Sequence, residues 1–343
     1  MRILIATDAW HPQINGVVRT LTTLARHLEA MGAEVVFLSP DGFPSFAAPT
    51  YPELRLAIPN GAEIARRIDE ISPDAIHIAT EGPIGIAVRS YCRRRKLPFT
   101  TAFMTKFPDY LSVRFRVPEA LIYWMLRRFH AAARTTMVST RSLAQDLRGR
   151  GFRHIGMWTR GVDTDLFRPI ERPILDLPRP IFINVGRVAI EKNLGAFLSL
   201  DLPGSKVVIG DGPQLDELRK LYPDTHFLGA MEGERLVAHL ASADVFVFPS
   251  RTDTFGIVQL EALACGVPVA AYPVTGPLDV IGGTDVGALD EDLAVACRAA
   301  LGLSRAACRD FALARSWNRS ATQFLRNIRR ALIRPVLRLA AQT

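Results

Sequence analysis

Residues 243–271 read ADVFVFPSRTDTFGIVQLEALACGVPVAA. A β-type apolar run, Val245 to Phe248, leads into a polar loop that closes at Phe255-Gly256. An apolar helical pattern starts at Ile257, and a second β-type run covers Val267 to Ala271. Strand, loop, helix and strand in this order are the signature of parallel strands joined by a crossover helix. The loop holds Asp253, and Glu261 stands eight positions later, about one turn inside the helix. Two carboxylates thus flank a helix N-terminus, where free N–H groups and the positive dipole end can hold a phosphate without a metal.

The same alternation extends upstream. Ile181 to Val185, a helix from Leu194, Val207 to Ile209, a helix from Gln214, His226 to Leu228 and a helix from Arg235 complete one α/β series. Before it, GVDTDLFRPIERPILDLPRP (161–180) has four prolines and four acids and no helical period, as a linker would. A first series precedes that break: Ile3 to Ala6, a helix from Gly16, Val35 to Leu38, a helix over Ile64 to Ile71, Ala75 to Ala79, Phe99 to Phe103 and Thr135 to Val138. In the Gly16 helix, Val17, Leu21, Leu24, Leu28 and Met31 form one stripe and Gly32 is the expected cap. The expected fold is therefore α/β, with two tandem Rossmann-like, doubly wound domains facing across a cleft: 1–168, a linker over 169–180, and 181–318, followed by a terminal helix in 319–343. Ligands in such sheets bind beyond the carboxyl ends of the strands.

Length and composition agree with this. At 343 residues the chain exceeds what one core usually supports. Apolar residues make up 48% and charged residues 22%, a globular balance, and no apolar run is long enough to span a bilayer. The opening MRILIATD is too short in its apolar part for a signal peptide and reads as a first buried strand. Cys92, Cys265, Cys297 and Cys308 include no CxxC pair, so inert thiols in a reducing cytoplasm are expected. The net charge of +8 gathers in RSYCRRRK (89–96), in Arg127-Arg128 and after Asn318. Without interleaved aromatics or a nucleic-acid motif, that charge points to anionic lipid headgroups and away from nucleic acid.

Three loops of the second series can carry chemistry. VGRVAIEKN (185–193) brings Arg187 and Lys192, two cations suited to a diphosphate. IGDGP (209–213), with Gly210, lets a flat ligand approach the backbone. In the third, Phe255, Gly256, Ile257 and Val258 form the helix entrance; Asp253 and Glu261 either accept hydrogen bonds from sugar hydroxyls or serve as cap and solvated or paired acid. In the first series TDAWHPQINGVVRT (7–20) places Asn15-Gly16 at another helix entrance. It lacks GxGxxG, which counts against a nicotinamide-dependent oxidoreductase. His11, Lys106, Asp109 and Tyr110 are acceptor-side candidates by their position near strand ends. There is no HExxH, and the DTD at 163–165 reads as a turn, so no metal is expected.

In order and spacing, HPQINGVVRT, FPDY after Phe99 to Phe103, GVDTDLF, VGRVAIEKN, GDGP, HFLG, the 243–271 stretch and SWNRSATQFL resemble family 4 of the retaining glycosyltransferases, of GT-B architecture. Bacterial GDP-mannose-dependent α-mannosyltransferases and glycolipid glycosyltransferases are the cousins in view. The resemblance implies that Arg187 and Lys192 hold the donor diphosphate, approached by Gly16. It implies that the nucleotide base is lined around Gly210 and His226 to Gly229, Phe227 included, and that Glu261 binds the ribose. Asp253 stands where the family's E-x7-E pattern has its first Glu, the acid that contacts the transferred sugar. Met104 stands where the family commonly has a histidine that assists the transition state, and Met offers no useful hydrogen bond.

The function so implied is metal- and cofactor-independent, retaining transfer of a sugar, with mannose in first place, from a GDP- or UDP-sugar to a glycolipid or glycan hydroxyl. The rival is a non-catalytic nucleotide-sugar- or glycan-binding relative, disabled at Met104. The expected location is cytoplasmic, peripheral at the inner face of the cytoplasmic membrane. In the terminal helix Leu325, Ile328, Leu332 and Val336 form one side, with Arg326, Arg330, Arg334 and Arg338 on another, a pattern that suits an anionic membrane surface. The resemblance instead implies that its first half packs back on the first domain.

Overall fold

The computed structural model describes residues 1–11, 16–48, 51–104, 117–252 and 255–333. The chain forms two compact units, Met1–Thr159 joined by the segment from Ser320, and Arg160–Arg319. In the first unit the described strands lie in the order Glu34–Leu38, Arg2–Ala6, Ala75–Ile78, Thr100–Phe103, Thr135–Val138 and Ile155–Met157. In the second the order is His226–Phe227, Ser205–Ile209, Ile181–Val185, Val245–Phe248, Val269–Ala271 and Gly287–Leu289. Neighbouring strands are parallel throughout both sheets. In each sheet the direction of winding reverses beside its first strand in sequence, which creates a topological switch point there.

The uninterrupted apolar character of these strands has a simple cause. Successive side chains point to opposite faces, and helices cover both. In the first sheet Ile3 and Ile5 join one buried cluster, while Leu4 and Ala6 join another. In the second, Ile181 and Ile183 face one side and Phe182 the other. The helix Gly16–Ala30 buries Leu21, Leu24 and Leu28 completely. Met31 does not continue that stripe: the helix ends at Ala30, the backbone turns left-handed at Gly32, and Met31 is 40% exposed.

The segment 160–168, read from sequence as part of the first domain, packs in the second unit. Arg309 donates to the carbonyls of Phe167 and Thr164 at 2.7 and 3.0 Å, and the Val162 amide donates to the Arg315 carbonyl at 3.0 Å. Asp163 makes a turn, its carboxylate accepting from the Leu166 amide. Several elements escaped the sequence reading, among them the strands Ile155–Met157 and Gly287–Leu289, each too short to show a period, the antiparallel pair Ser45–Ala48 and Tyr51–Ala57, and the helices Pro83–Arg95, Glu119–His130 and Arg141–Gly149.

The helix Trp317–Leu332 leaves the second unit and enters the first. Its apolar stripe is not a membrane face. Ala321, Phe324, Leu325 and Ile328 are buried against Trp158, Leu21 and Leu24, with Leu332 packed alongside. Ser320 accepts from the Trp158 indole at 3.1 Å and donates to the Thr159 carbonyl at 2.6 Å, and Asn327 donates to the Met157 carbonyl at 2.8 Å. Val336, Arg334 and Arg338 lie outside the described residues. No described helix is long and apolar enough to cross a membrane.

Candidate active site

At the switch point of the second sheet, the loops after Ile181–Val185 and Val245–Phe248 come together at the carboxyl edge. The first holds Arg187, exposed, and Lys192, half-buried at the end of the short 3-10 turn Ile190–Lys192. Glu191 approaches Arg187 at 4.0 Å, a partly exposed pair of the kind that contributes little to stability. The second loop closes at Gly256, which caps the helix Ile257–Ala264 in the left-handed region at φ 72°. A Cβ there would stand 2.7 Å from the Phe248 ring and 2.7 Å from the Gln259 amide nitrogen, so glycine is needed on both counts. Having no side chain, this cap leaves the first N–H groups of the helix unoccupied by it.

These loops are stitched to one another. Asn193, itself left-handed at φ 53°, donates to the Pro249 carbonyl at 3.1 Å, and the buried Ser250 hydroxyl donates to the Glu191 carbonyl at 3.1 Å. The Gly186 amide donates to Ile209, Val188 to Asp211 and Gly210 to Gly229, each at 2.9 Å. The 209–213 turn therefore lies flat on the Arg187 loop: a Cβ on Gly210 would fall 1.8 Å from the Gly186 oxygen, and one on Gly212 would fall 2.3 Å from the Val188 oxygen. Arg187 and Lys192 thus stand on a loop whose backbone is tied to the turns beside it.

Glu261 is 3% exposed, so the solvated alternative is excluded. It sits within the helix close to Cys265, whose thiol is pushed up to about 12 by burial first and by Glu261 second. Ile257 and Val258 occupy the first turn, half-buried, as Phe255 is. Phe227 is differently placed: its ring packs on the core cluster containing Val208 and Leu218, with Arg219 stacked 6.0 Å away. Asp253 lies outside the described residues, as do Lys106, Asp109 and Tyr110.

At the switch point of the first sheet, Gly16 opens its helix with nothing within 4 Å of a Cβ added there. His11 is exposed beside Trp10, the two rings meeting edge-on at 5.3 Å, and Trp10 stacks on Phe37 at 4.2 Å. Met104 packs against the core cluster that includes Ile5 and Trp158. Sequence reasoning overlooked Asp8. Its carboxylate accepts from the amides of Ile84 at 2.7 Å and Gly85 at 3.3 Å and from the Thr80 hydroxyl at 2.7 Å, and so caps the helix Pro83–Arg95 from the loop after the strand Arg2–Ala6. Burial raises the Asp8 pKa, and these hydrogen bonds oppose the rise. Glu81 meets the buried His130 ring at 3.1 Å, whose other nitrogen meets the Thr101 hydroxyl at 2.8 Å. An acid directly after a buried strand was the available signal for Asp8; Asn193 after a turn was the signal for the stitch; Ser250 had none.

A family model described as Glycosyltransferase Family 4 matches residues 14–166, and one described as Glycosyl transferases group 1 matches residues 179–306. The chain thus carries a Glycosyltransferase Family 4 domain followed by a glycosyl transferases group 1 domain. Among characterised proteins, a sulfoquinovosyl transferase of Arabidopsis thaliana is 29% identical over 78% of this chain and 58% of its own length. A GDP-mannose-dependent alpha-mannosyltransferase of Corynebacterium glutamicum is 28% identical over 82% of this chain and 74% of its own. The chain thus spans little more than half of the plant relative. Among solved structures, a sucrose-phosphate synthase from Thermosynechococcus elongatus superposes with a TM-score of 0.76 at 20% identity, covering 96% of this chain and 98% of that one. Anabaena HepE in complex with UDP gives 0.73 at 16% identity over 96% and 100%. The fold is accordingly GT-B, and the family 4 resemblance of the loop motifs holds.

Proposed function

We propose that this glycosyltransferase moves a sugar, mannose before others, from a nucleoside diphosphate to a hydroxyl of a glycolipid or glycan, with retention and without a metal. The observation that carries the reading is that the loop bearing Arg187 and Lys192 is joined to the loop before the Gly256 helix entrance at the switch point of a sheet wound 3-2-1-4-5-6. In this reading the second unit binds the donor, and His11, Lys106, Asp109 and Tyr110 of the first are the acceptor-side residues. The relatives named for GDP-mannose and for alpha-monoglucosyldiacylglycerol synthesis support the donor and acceptor classes.

In the proposed step the bond from the anomeric carbon to the diphosphate oxygen breaks and its electron pair stays on the phosphate. Arg187, Lys192 and the helix N-terminus meet the growing charge, which is the largest contribution such a site makes. The acceptor oxygen attacks from the face the phosphate leaves, and its proton passes to the departing phosphate oxygen. Asp253 is assigned to the sugar hydroxyls and Glu261 to the ribose. Because the chemistry leans on leaving-group stabilisation, Met104 is compatible with turnover, and the names of the relatives favour an enzyme over a binding protein.

The test is release of nucleoside diphosphate from GDP-, UDP- and ADP-sugars with a lipid extract and EDTA, against Lys192→Ala. Turnover with one donor, lowered about 100-fold in the variant, is expected. Nucleotide binding without turnover for any donor would overturn the transferase reading, and Met104→His would then be the variant to assay.

A further inference from the structure

Glu81 stands in the loop between the strand Ala75–Ile78 and the helix Pro83–Arg95, at the carboxyl edge of the first sheet and at its switch point. The loops on either side of that point are tied together. The Asp8 amide donates to the Thr80 hydroxyl at 2.7 Å, and the Asp8 carboxylate takes the hydrogens of Thr80, Ile84 and Gly85. Gly82 allows this closeness, since a Cβ there would stand 2.5 Å from the Asp8 carboxyl carbon. Both Asp8 oxygens are thereby committed to the fold, whereas Glu81 has one to spare.

The other Glu81 oxygen is pinned. Oε1 meets Nε2 of His130, the last residue of the helix Glu119–His130, at 3.1 Å. The His130 ring is buried among Phe103, Phe129 and Phe152, with centroids 5.9, 5.1 and 5.9 Å away, and its Nδ1 meets the Thr101 hydroxyl at 2.8 Å. Thr101 donates its own hydrogen to Thr136 at 3.2 Å, so it receives from Nδ1, which therefore carries a hydrogen. One further hydrogen lies between Nε2 and Oε1, whichever of the two atoms bears it. In both forms the pair is electrically neutral and Oε2 is a bare acceptor. The Glu81 side chain keeps 11% of its surface in solvent, and among the described residues nothing donates to Oε2.

We propose that Glu81 recognises the acceptor, with Oε2 accepting a hydrogen bond from one of its hydroxyls. A neutral pair gives an ammonium group no net charge to seek, so an uncharged polyol is the ligand class that fits. His130 is the positioning residue: its ring is fixed by three aromatic neighbours and by Thr101, and it holds the Glu81 carboxyl in one orientation. The inference rests on the transferase reading and adds to it a residue that no loop motif marks.

The experiment measures, on the full chain, nucleoside diphosphate release with increasing lipid extract, beside the affinity for GDP and UDP. Glu81→Gln can turn its amide nitrogen to His130 and keep its carbonyl oxygen in the place of Oε2, so half-saturation by the extract should stay within about threefold of wild type. Glu81→Met has no oxygen to offer and should raise it at least about tenfold, with nucleotide affinity unchanged. Glu81→Asp withdraws the carboxyl by a methylene, should raise it by a similar factor, and carries the test if Glu81→Met does not fold. Thermal melts accompany each variant, since a Glu81 that serves only the fold would lower the Tm of Glu81→Met and leave half-saturation where it was. That result overturns the proposal. So does a Glu81→Gln protein that loses as much as Glu81→Met, because the carboxylate would then act as a base. Wild type that binds nucleotide and turns over no donor overturns the transferase reading, and this inference with it; turnover that responds to the extract but not to Glu81 overturns this inference alone.

Discussion

Replacing Gly210 with Ala tests whether the flat packing of the 209–213 turn positions the cations of the site. Gly210 has φ 150°, and its added Cβ would stand 1.8 Å from the Gly186 carbonyl oxygen. Ordinary contact needs roughly 3.2 Å, so backbone must part by more than about 1 Å, and neither neighbour is a side chain that can swing away. The movement pulls on the hydrogen bonds Gly186 to Ile209 and Val188 to Asp211, both 2.9 Å. Losing two such bonds costs about 2 kcal/mol, and holding alanine in an unfavourable backbone region adds about 1 to 2 kcal/mol. A total near 3 to 4 kcal/mol lowers the Tm of a unit this size by about 10 °C. Differential scanning calorimetry reads this, and titration with GDP and UDP should show the affinity falling further than destabilisation explains, because Arg187 moves with Gly186. A Gly210→Ala protein that melts within about 1 °C of wild type and binds nucleotide equally well would refute the reasoning.

Gly16→Ala provides the contrast. Its Cβ has nothing within 4 Å, so stability should stay within about 0.5 kcal/mol, and any loss of donor turnover reports a ligand that needs the space. Asp8→Ala leaves the Ile84 and Gly85 amides and the Thr80 hydroxyl without their acceptor and should cost about 2 to 4 kcal/mol in urea melts. Asp8→Asn supplies the pH dependence. Since burial raises the folded-state pKa of Asp8, the folded chain holds a proton that the unfolded chain releases, and the wild type should lose stability relative to Asp8→Asn as pH rises from the ordinary carboxylate value of 3.8 through that raised value. An unchanged difference across that window, followed by thermal melts, would show that the carboxyl is not desolvated. The four thiols, all buried and each pushed up to about 12 by burial, should resist Ellman's reagent at pH 8 until denaturant is added.

Much of this protein is written locally. A fully apolar run such as Val245–Phe248 and an amphipathic stripe such as Leu21, Leu24 and Leu28 reflect backbone geometry acting over a few residues, so strands, helices and their alternation can be read in order. The cations of VGRVAIEKN and the glycine before Ile257 are legible for the same reason, because each marks a turn after a strand. Tertiary structure decided what those turns meet. Asn193 and Pro249 are 56 residues apart and touch only because Ile181–Val185 lies beside Val245–Phe248 in the sheet, a pairing set by which faces must be buried. The same competition sends the stripe of Trp317–Leu332 into the core of the first unit, although by sequence it suits a membrane equally well, and leaves Leu121, Trp124 and Met125 outside. An apolar stripe specifies that something must cover it; only the packed chain determines whether that cover is its own core.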